Sequence, residues 1–537
     1  MTHSTATRLK RVAGTLGTAL LALAAHAETI PDIAPITQEV HASAMQPDWY
    51  RKGVFMEIYV RGYQDSKGDG QGDLKGLTQR LDYLQSLGVT GLWLMPIYPS
   101  ADHDHGYAVT HYRDVDPDYG TLADFDAFLA AAHRHGMGVI LDYVPNHSSA
   151  QHPLFQASDM GVDSPYRDWY VWEADKPTGW KGFHGDPWHA GHQGYYYGVF
   201  NERMPDFNFR NPKVLDFHLD NLKFWLNRGV DGFRIDAAGV LVENSKLEWE
   251  NQPENHQVLH QFRALLDRYD NRYMVAEAPS AAAEFAAADS AGSAFAFGLQ
   301  KQIVASANFG RTLPGMLEYL AKEPVARMGT FLANHDSFAG HRLYAEFGGD
   351  KPRYKQAITT LLTLPGIPFL YYGEEIGLGG SDPVKYDDQR QRGPMSWDAS
   401  PSAGFTTAAH PFRPYVSNHA GHNVATEEGQ PDSLLHAYRA LIHLRTAHAA
   451  LSVGAFTLLS GEDEPVLAFT RQADGETLLV AINYSDRARR WTLPESLTGH
   501  AWQRIYPATR DEGAAAKKVI GLKPFESAVY SAIPVAP

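Results

Sequence analysis

The chain contains no cysteine, which removes a disulfide framework, a thiolate metal site and a lipid-attachment thiol together. It also lacks a basic block able to follow a phosphate backbone. Its 62 acidic side chains outnumber 47 basic ones, for a net charge of -15, which points away from nucleic acid as a partner. No Gly-x-Ser-x-Gly elbow and no Gly-rich phosphate loop occurs. Near the N-terminus the apolar run 12–25 is too short for the ~20 residues that span a bilayer. Arg8, Lys10 and Arg11 precede it, and Ala25-His26-Ala27 supplies a small-x-small cleavage pattern. Residues 1–27 therefore read as a secretory signal peptide. The expectation is an exported protein, periplasmic before fully secreted, with no membrane attachment after cleavage.

What is present belongs to a globular protein: 44% hydrophobic and 20% charged residues. A chain of 537 residues implies two or three domains. Residues 28–45 read as a linker. Short apolar runs then alternate with amphipathic helical stretches. The strand-like runs are 54–60, 89–95, 138–144, 231–237, 273–278, 294–299, 328–334 and 367–372. Leu77, Leu81, Leu84 and Leu87 mark a helix over 74–87. Thr121 with Asp124 resembles a capping box, and Gly136 closes that helix. Eight strands alternating with helices predict an α/β fold, a (β/α)8 TIM barrel, over 46–147 and 206–445. The Gly-, Trp-, Tyr- and His-rich stretch 148–205 breaks the rhythm after strand three and reads as an inserted domain B over the barrel mouth. Beyond 446 the alternating runs VLAFTR and LLVAINYS predict a C-terminal antiparallel β-sandwich.

Chemistry concentrates where the strands end. In DGFRIDAAG (231–239), Arg234 and Asp236 are two apart on a strand and project to one side. A guanidinium beside a carboxylate favours its ionised form. Strand three ends in DYVPNH, giving Asp142, Asn146 and His147. VAEAP gives Glu277, and FLANHD gives Asn334, His335 and Asp336. Acids and histidines at four strand ends of one barrel are hard to explain as packing. The converging set has no thiolate and no histidine pair at helical spacing, which argues against a zinc hydrolase. Two carboxylates, one attacking an anomeric carbon and one protonating the leaving oxygen, suit glycoside hydrolysis.

DYVPNH, GFRIDAAG, VAEAP and FLANHD, in that order, resemble the signature segments of the α-amylase superfamily, glycoside hydrolase family 13. MPDFN (204–208), GVFMEIYVRGYQDS, HGYAVTHY, PGIPFLYYGEEIG and RGPMSWD are similar to further segments of it. The likeness runs from about residue 47 through the C-terminal domain. It implies a configuration-retaining mechanism with Asp236 as nucleophile, Glu277 as general acid/base, and Asp336 holding the sugar hydroxyls. His147, His335 and Arg234 would line the −1 subsite, with Tyr107 stacking on the sugar.

Within the family, DSKGDGQGDL (65–74) resembles the calcium loop of the α-glucosidase and oligo-1,6-glucosidase branch. Asp65, Asp69 and Asp73, with the Gln71 carbonyl, would hold a structural Ca2+. Lys67 departs from that pattern, and its ammonium is the alternative to the ion. No organic cofactor is implied. Asp104 and Arg392 resemble a pair closing the −1 subsite of exo-acting members. Ala237 stands where the branch carries Val for α-1,6 linkages, which favours α-1,4-linked maltose-type substrates. Other stretches resemble trehalose synthases, which isomerise maltose by the same double displacement. A hydrolase of malto-oligosaccharides or starch-type glucans leads, with a glucosyltransferase as the alternative and a non-catalytic carbohydrate-binding module more remote. Exo or endo action, chain length and oligomeric state do not follow from the sequence.

Overall fold

The computed structural model describes residues 30–507, 515–516 and 518–533; the expected signal peptide lies outside the described residues. Seven parallel strands form one sheet in the order β8-β7-β3-β2-β1-β10-β9. They are β1 (Phe55–Ile58), β2 (Gly91–Leu94), β3 (Gly138–Tyr143), β7 (Gly232–Ile235), β8 (Tyr273–Ala276), β9 (Gly329–Thr330) and β10 (Ile367–Tyr371). The expected sixth strand forms no ladder of its own. Around 294–299 the chain makes only two parallel bridges, Ala294 with Ala276 and Phe295 with Gly329. Those bridges close the ring between β8 and β9, so the fold is the TIM barrel with one side reduced to a two-residue stitch. Phe55, Trp93, Ile140, Val275, Phe295 and Phe369 pack together, and bulky side chains of this kind fill a barrel interior rather than leaving a pore.

The capping box forms as expected: Thr121 and Asp124 bond reciprocally at the start of helix Leu122–Arg134. The helix expected over 74–87 is two, Leu74–Gln79 and Leu81–Leu87, joined at Arg80. There the Arg80 guanidinium stacks 3.9 Å over Trp397 and donates to Gln64. Residues 30–45 have no regular secondary structure, yet side chains of the barrel hold them in place. Arg113 donates to the carbonyl of Ala34, Lys223 to that of Ile36, Asn227 to that of Gln38 and Arg272 to that of Ala42. Asp32, fully buried, accepts from the Tyr112 amide and faces His152 at 3.3 Å.

After β3 the chain leaves the barrel into a helix, Pro153–Asp159, and a three-stranded antiparallel sheet. Its strands are β4 (Trp172–Glu173), β5 (Trp188–Ala190) and β6 (Tyr195–Tyr197). An antiparallel bridge between His147 and Asp206 fastens the exit and return of this excursion, keeping it over the mouth. The C-terminal part holds a six-stranded antiparallel sheet and a two-stranded one. Trp491, Ile520 and Leu522 of the smaller sheet pack against Ala468, Leu479, Ala481 and Trp502 of the larger, which makes a sandwich.

Candidate active site

The register of β3 against β7 sets Asp142 directly beside Arg234, at the C-terminal ends of two adjacent parallel strands. Arg234 is 1% exposed, and its guanidinium reaches three carboxylates. Nη1 lies 2.7 Å from Asp142 Oδ1 and 2.5 Å from Asp236 Oδ1; Nη2 lies 2.8 Å from Glu277 Oε2. One cation therefore serves three acids. Burial first, then the nearby charges of Glu277 and Asp142, push Asp236 up, and Arg234 opposes them. The simple expectation that Arg234 lowers the Asp236 pKa thus meets a stronger opposing cause.

Immediately after Asp236 the backbone turns through Ala237 in the left-handed region, φ 48°, a conformation that costs an L-residue about 1–2 kcal/mol. The turn points the Ala237 amide at Glu277 Oε2, 3.1 Å away, while Ala238 donates to the Glu277 carbonyl. Strained backbone here holds Glu277 beside the strand end that carries Asp236.

A second group faces the first. His335 Nε2 is 3.0 Å from Asp336 Oδ2, and its Nδ1 lies 2.5 Å from Glu57 Oε1. Burial works against a charged imidazole, but Asp336 and Glu57 outweigh it and push His335 up to about 10. Asp336 is held well below the usual carboxylate range: burial opposes ionisation, and His335 with Arg392 prevails. The Tyr107 hydroxyl joins the two groups, donating to Asp142 Oδ2 at 2.9 Å and lying 2.8 Å from His335 Nε2. His147 is buried and pushed down to about 3, by desolvation first, so its ring stays neutral. Around one mouth the structure therefore brings together Asp236, Glu277, Asp336, Arg234, His335, Tyr107 and Asp142.

Asp104 and Arg392 sit at the rim, but their contact is loose, 3.9 Å between Arg392 Nη1 and Asp104 Oδ2. Arg392 Nη2 instead pairs with Asp336 Oδ1 at 3.0 Å. Beyond them opens a cavity of about 690 Å³ lined by His105, Gln151, His184, Arg203, Tyr386 and Gln389 among others. Sequence reasoning left Glu57 out of the site. Its signal was a lone carboxylate inside the apolar run VFMEIYV, since an isolated buried charge needs a partner.

The 65–73 loop is built differently. Asp65 Oδ1 accepts from the amides of Lys67 and Gly68, and Oδ2 from that of Gly70, each at 2.8 Å; the Thr406 hydroxyl also bonds Oδ2. Asp73 caps helix Leu74–Gln79 through the Gly76 amide and takes both donors of Ser66. Asp69 Oδ1 accepts from the Gln71 amide, 3.0 Å away. Lys67 Nζ reaches the Asp118 carbonyl at 2.6 Å. Calcium needs six to eight oxygens turned toward one point, whereas Asp65 and Asp73 are committed to N–H and O–H donors. Among the described residues no group of three or more His, Asp or Glu is arranged to hold a metal ion. The residues do not suit the Ca2+ that the loop's resemblance implied.

Comparison with known proteins places these features in a family. The profile of the α-amylase catalytic domain matches residues 57–454, and that of the maltogenic amylase C-terminal domain matches 456–528. Alpha-amylase 3 of Dictyoglomus thermophilum is 36% identical over 81% of this chain and 85% of its own. The trehalose synthase/amylase TreS of Mycobacterium tuberculosis is 35% identical over 84% of this chain and 86% of its own. The solved structure of the α-glucosyl transfer enzyme XgtA superposes with a TM-score of 0.79 at 30% identity, covering 91% of this chain and 100% of the other.

Proposed function

The chain belongs to the α-amylase family of glycoside hydrolases, and within it we propose a retaining α-glucoside hydrolase that cleaves α-1,4-linked malto-oligosaccharides or starch-type glucans. The observation that carries this reading is the Arg234 guanidinium gripping Asp236 with one nitrogen and Glu277 with the other. Two carboxyls within reach of one guanidinium suit the ~5–5.5 Å separation of retaining enzymes. A third, Asp336, stands across the mouth beside His335.

In the first half-reaction an Asp236 oxygen bonds to the anomeric carbon as the glycosidic C–O bond breaks. Glu277 delivers a proton to the departing oxygen. In the second, Glu277 takes a proton from water, whose oxygen bonds to the anomeric carbon and displaces Asp236, so the configuration is retained. Asp336, kept ionised by the imidazolium of His335 that it faces, accepts hydrogen bonds from sugar hydroxyls. Ala237, standing where the α-1,6-acting branch carries Val, supports α-1,4 over α-1,6 substrates. The leader read over 1–27 supports export, to the periplasm first. The loop 65–73 is read as a turn satisfied by its own donors, without calcium.

A second reading has its own observation. The Asp104–Arg392 rim and the tight −1 groups suit holding a glucose while an acceptor turns, as a maltose-isomerising transferase requires; trehalose would then be the product. The test is product analysis on maltose and soluble starch, with the anomer followed by NMR. Wild type is expected to release α-anomeric glucose or malto-oligosaccharides. Asp236→Asn is expected to fall by at least about 10³-fold. Equal rates for the two proteins would remove the enzyme reading and leave a carbohydrate-binding module.

A further inference from the structure

We propose that residues 30–42 are a strap fastening the 148–205 excursion to the barrel, and that Asp32 is the positioning residue by which the strap holds His147 at the wall of the sugar pocket. The inference rests on the glycosidase reading above, in which His147 lines that pocket, and goes beyond it. The strap precedes the region that the catalytic-domain profile matches, residues 57–454. Its carbonyls at Ala34, Ile36 and Gln38 face the barrel at alternate positions, as an extended chain allows, and accept from Arg113, Lys223 and Asn227. Lys223 and Asn227 belong to helix Pro212–Asn227, which receives the chain as it returns from the excursion. Arg113 also donates to Asn221 of that helix, at 2.6 Å.

A segment that merely covered a helix would gain nothing by carrying an acid into the interior, because an enclosed carboxylate costs desolvation unless it is given partners. Asp32 is fully enclosed. Its Oδ2 accepts from the Tyr112 amide at 2.8 Å and lies 3.3 Å from His152 Nε2. His152 Nδ1 accepts from the Leu154 amide at 3.1 Å, so the ring proton sits on Nε2 and points at Asp32. The partners of that one oxygen reach the mouth from two sides. The Tyr112 hydroxyl donates to the carbonyls of His147, at 2.7 Å, and Val144, at 3.1 Å. His152 caps the first helix of the excursion, Pro153–Asp159. Asp32 thus fixes both ends of 147–152, the turn by which the chain leaves β3. His147 opens that turn and packs on Phe200, with ring centroids 5.1 Å apart. A pocket wall held in this way keeps its place against the sugar, where a displacement of about 1 Å costs up to ~10²-fold in rate.

The test measures kcat/KM on 4-nitrophenyl α-glucoside, at a temperature well below the unfolding midpoint of every protein compared. Asp32→Ala is expected to lose about 10-fold or more, and Asp32→Asn, which keeps an acceptor for Tyr112 and His152, to recover most of it. The double variant Asp32→Ala/His147→Ala should be no worse than His147→Ala alone, because both changes act on the same contact. Asn227→Ala is the control, since it frees the strap at the helix end away from the mouth. It should lower the midpoint and leave kcat/KM within about two-fold. Hydrogen exchange over 144–152 should quicken in Asp32→Ala and stay unchanged in the C-terminal sandwich. Asp32→Ala kinetics equal to wild type, losses that multiply with His147→Ala, an Asn227→Ala loss as large as that of Asp32→Ala, or unaltered exchange over 144–152 would overturn the proposal. Should Asp32→Ala fail to fold, Tyr112→Phe, which removes only the hydroxyl that holds His147, carries the same comparisons. A wild type that hydrolyses no α-glucoside defeats the glycosidase reading, while hydrogen exchange still decides the strap.

Discussion

Two clusters of acids lie in the same half of the barrel, and they are built on opposite plans. Around Arg234, three carboxylates share one cation, and burial with the charges of its neighbours pushes Asp236 up. In the 65–73 loop, Asp65 and Asp73 accept from amides and hydroxyls of their own neighbourhood. The difference teaches that a count of acids carries no chemistry by itself. Carboxylates whose oxygens accept from neighbouring N–H and O–H groups are structural caps. Carboxylates crowded on too few donors keep the poise that acid–base and nucleophilic chemistry require.

The sharpest way to break this contrast is to remove the shared cation. Arg234→Met leaves Asp142, Asp236 and Glu277 buried without it, and is expected to cost about 3–5 kcal/mol of stability besides abolishing turnover; urea unfolding measures the first and sugar release the second. Asp65→Ala is the matching change in the other cluster. It strips the acceptor from three amides and a hydroxyl, at about 1–3 kcal/mol, and is expected to lower the thermal midpoint by a few degrees while kcat/KM stays within a few-fold. A larger loss of turnover than of stability would mean that the two clusters are not separate in kind.

Titration sharpens the comparison further. Because Asp236 is pushed up, the acid limb of kcat/KM should lie above the ordinary aspartate range near 4. His335 is raised from 6.5 to about 10, so its stabilising effect is full below about 6.5 and is lost as pH rises through about 10. Thermal midpoints measured from pH 6 to 11 should decline more steeply in wild type than in His335→Gln. The smallest expected effect is that of exhaustive chelation: the midpoint and the activity should not move, and a drop of several degrees restored by calcium would reassign the 65–73 loop.

Much of this was legible in the chain. The strand-end segments DYVPNH, GFRIDAAG, VAEAP and FLANHD are local patterns, and a parallel barrel gathers strand ends at one mouth whatever the details. The sixth strand was misjudged because the apolar run 294–299 reads as a strand, while pairing depends on neighbours that contribute only single bridges. Residues 28–45 read as a linker because they lack periodicity. Their carbonyls are nonetheless held by Arg113, Lys223, Asn227 and Arg272, which lie far along the chain. Arg413, whose Nη2 meets Asp104 Oδ1 at 2.7 Å, gave no signal at all, since the two lie 309 residues apart.

By itself the sequence determined the barrel and its two accessory domains, and marked the carboxylates proposed to react, because periodicity and strand-end chemistry are properties of short segments. Only the tertiary structure decided which carboxylates share a cation, which are spent on amides, and which arginine holds Asp104. Those outcomes depend on register and on loops meeting in space, where a shift of an ångström or two separates an ion pair from two strangers.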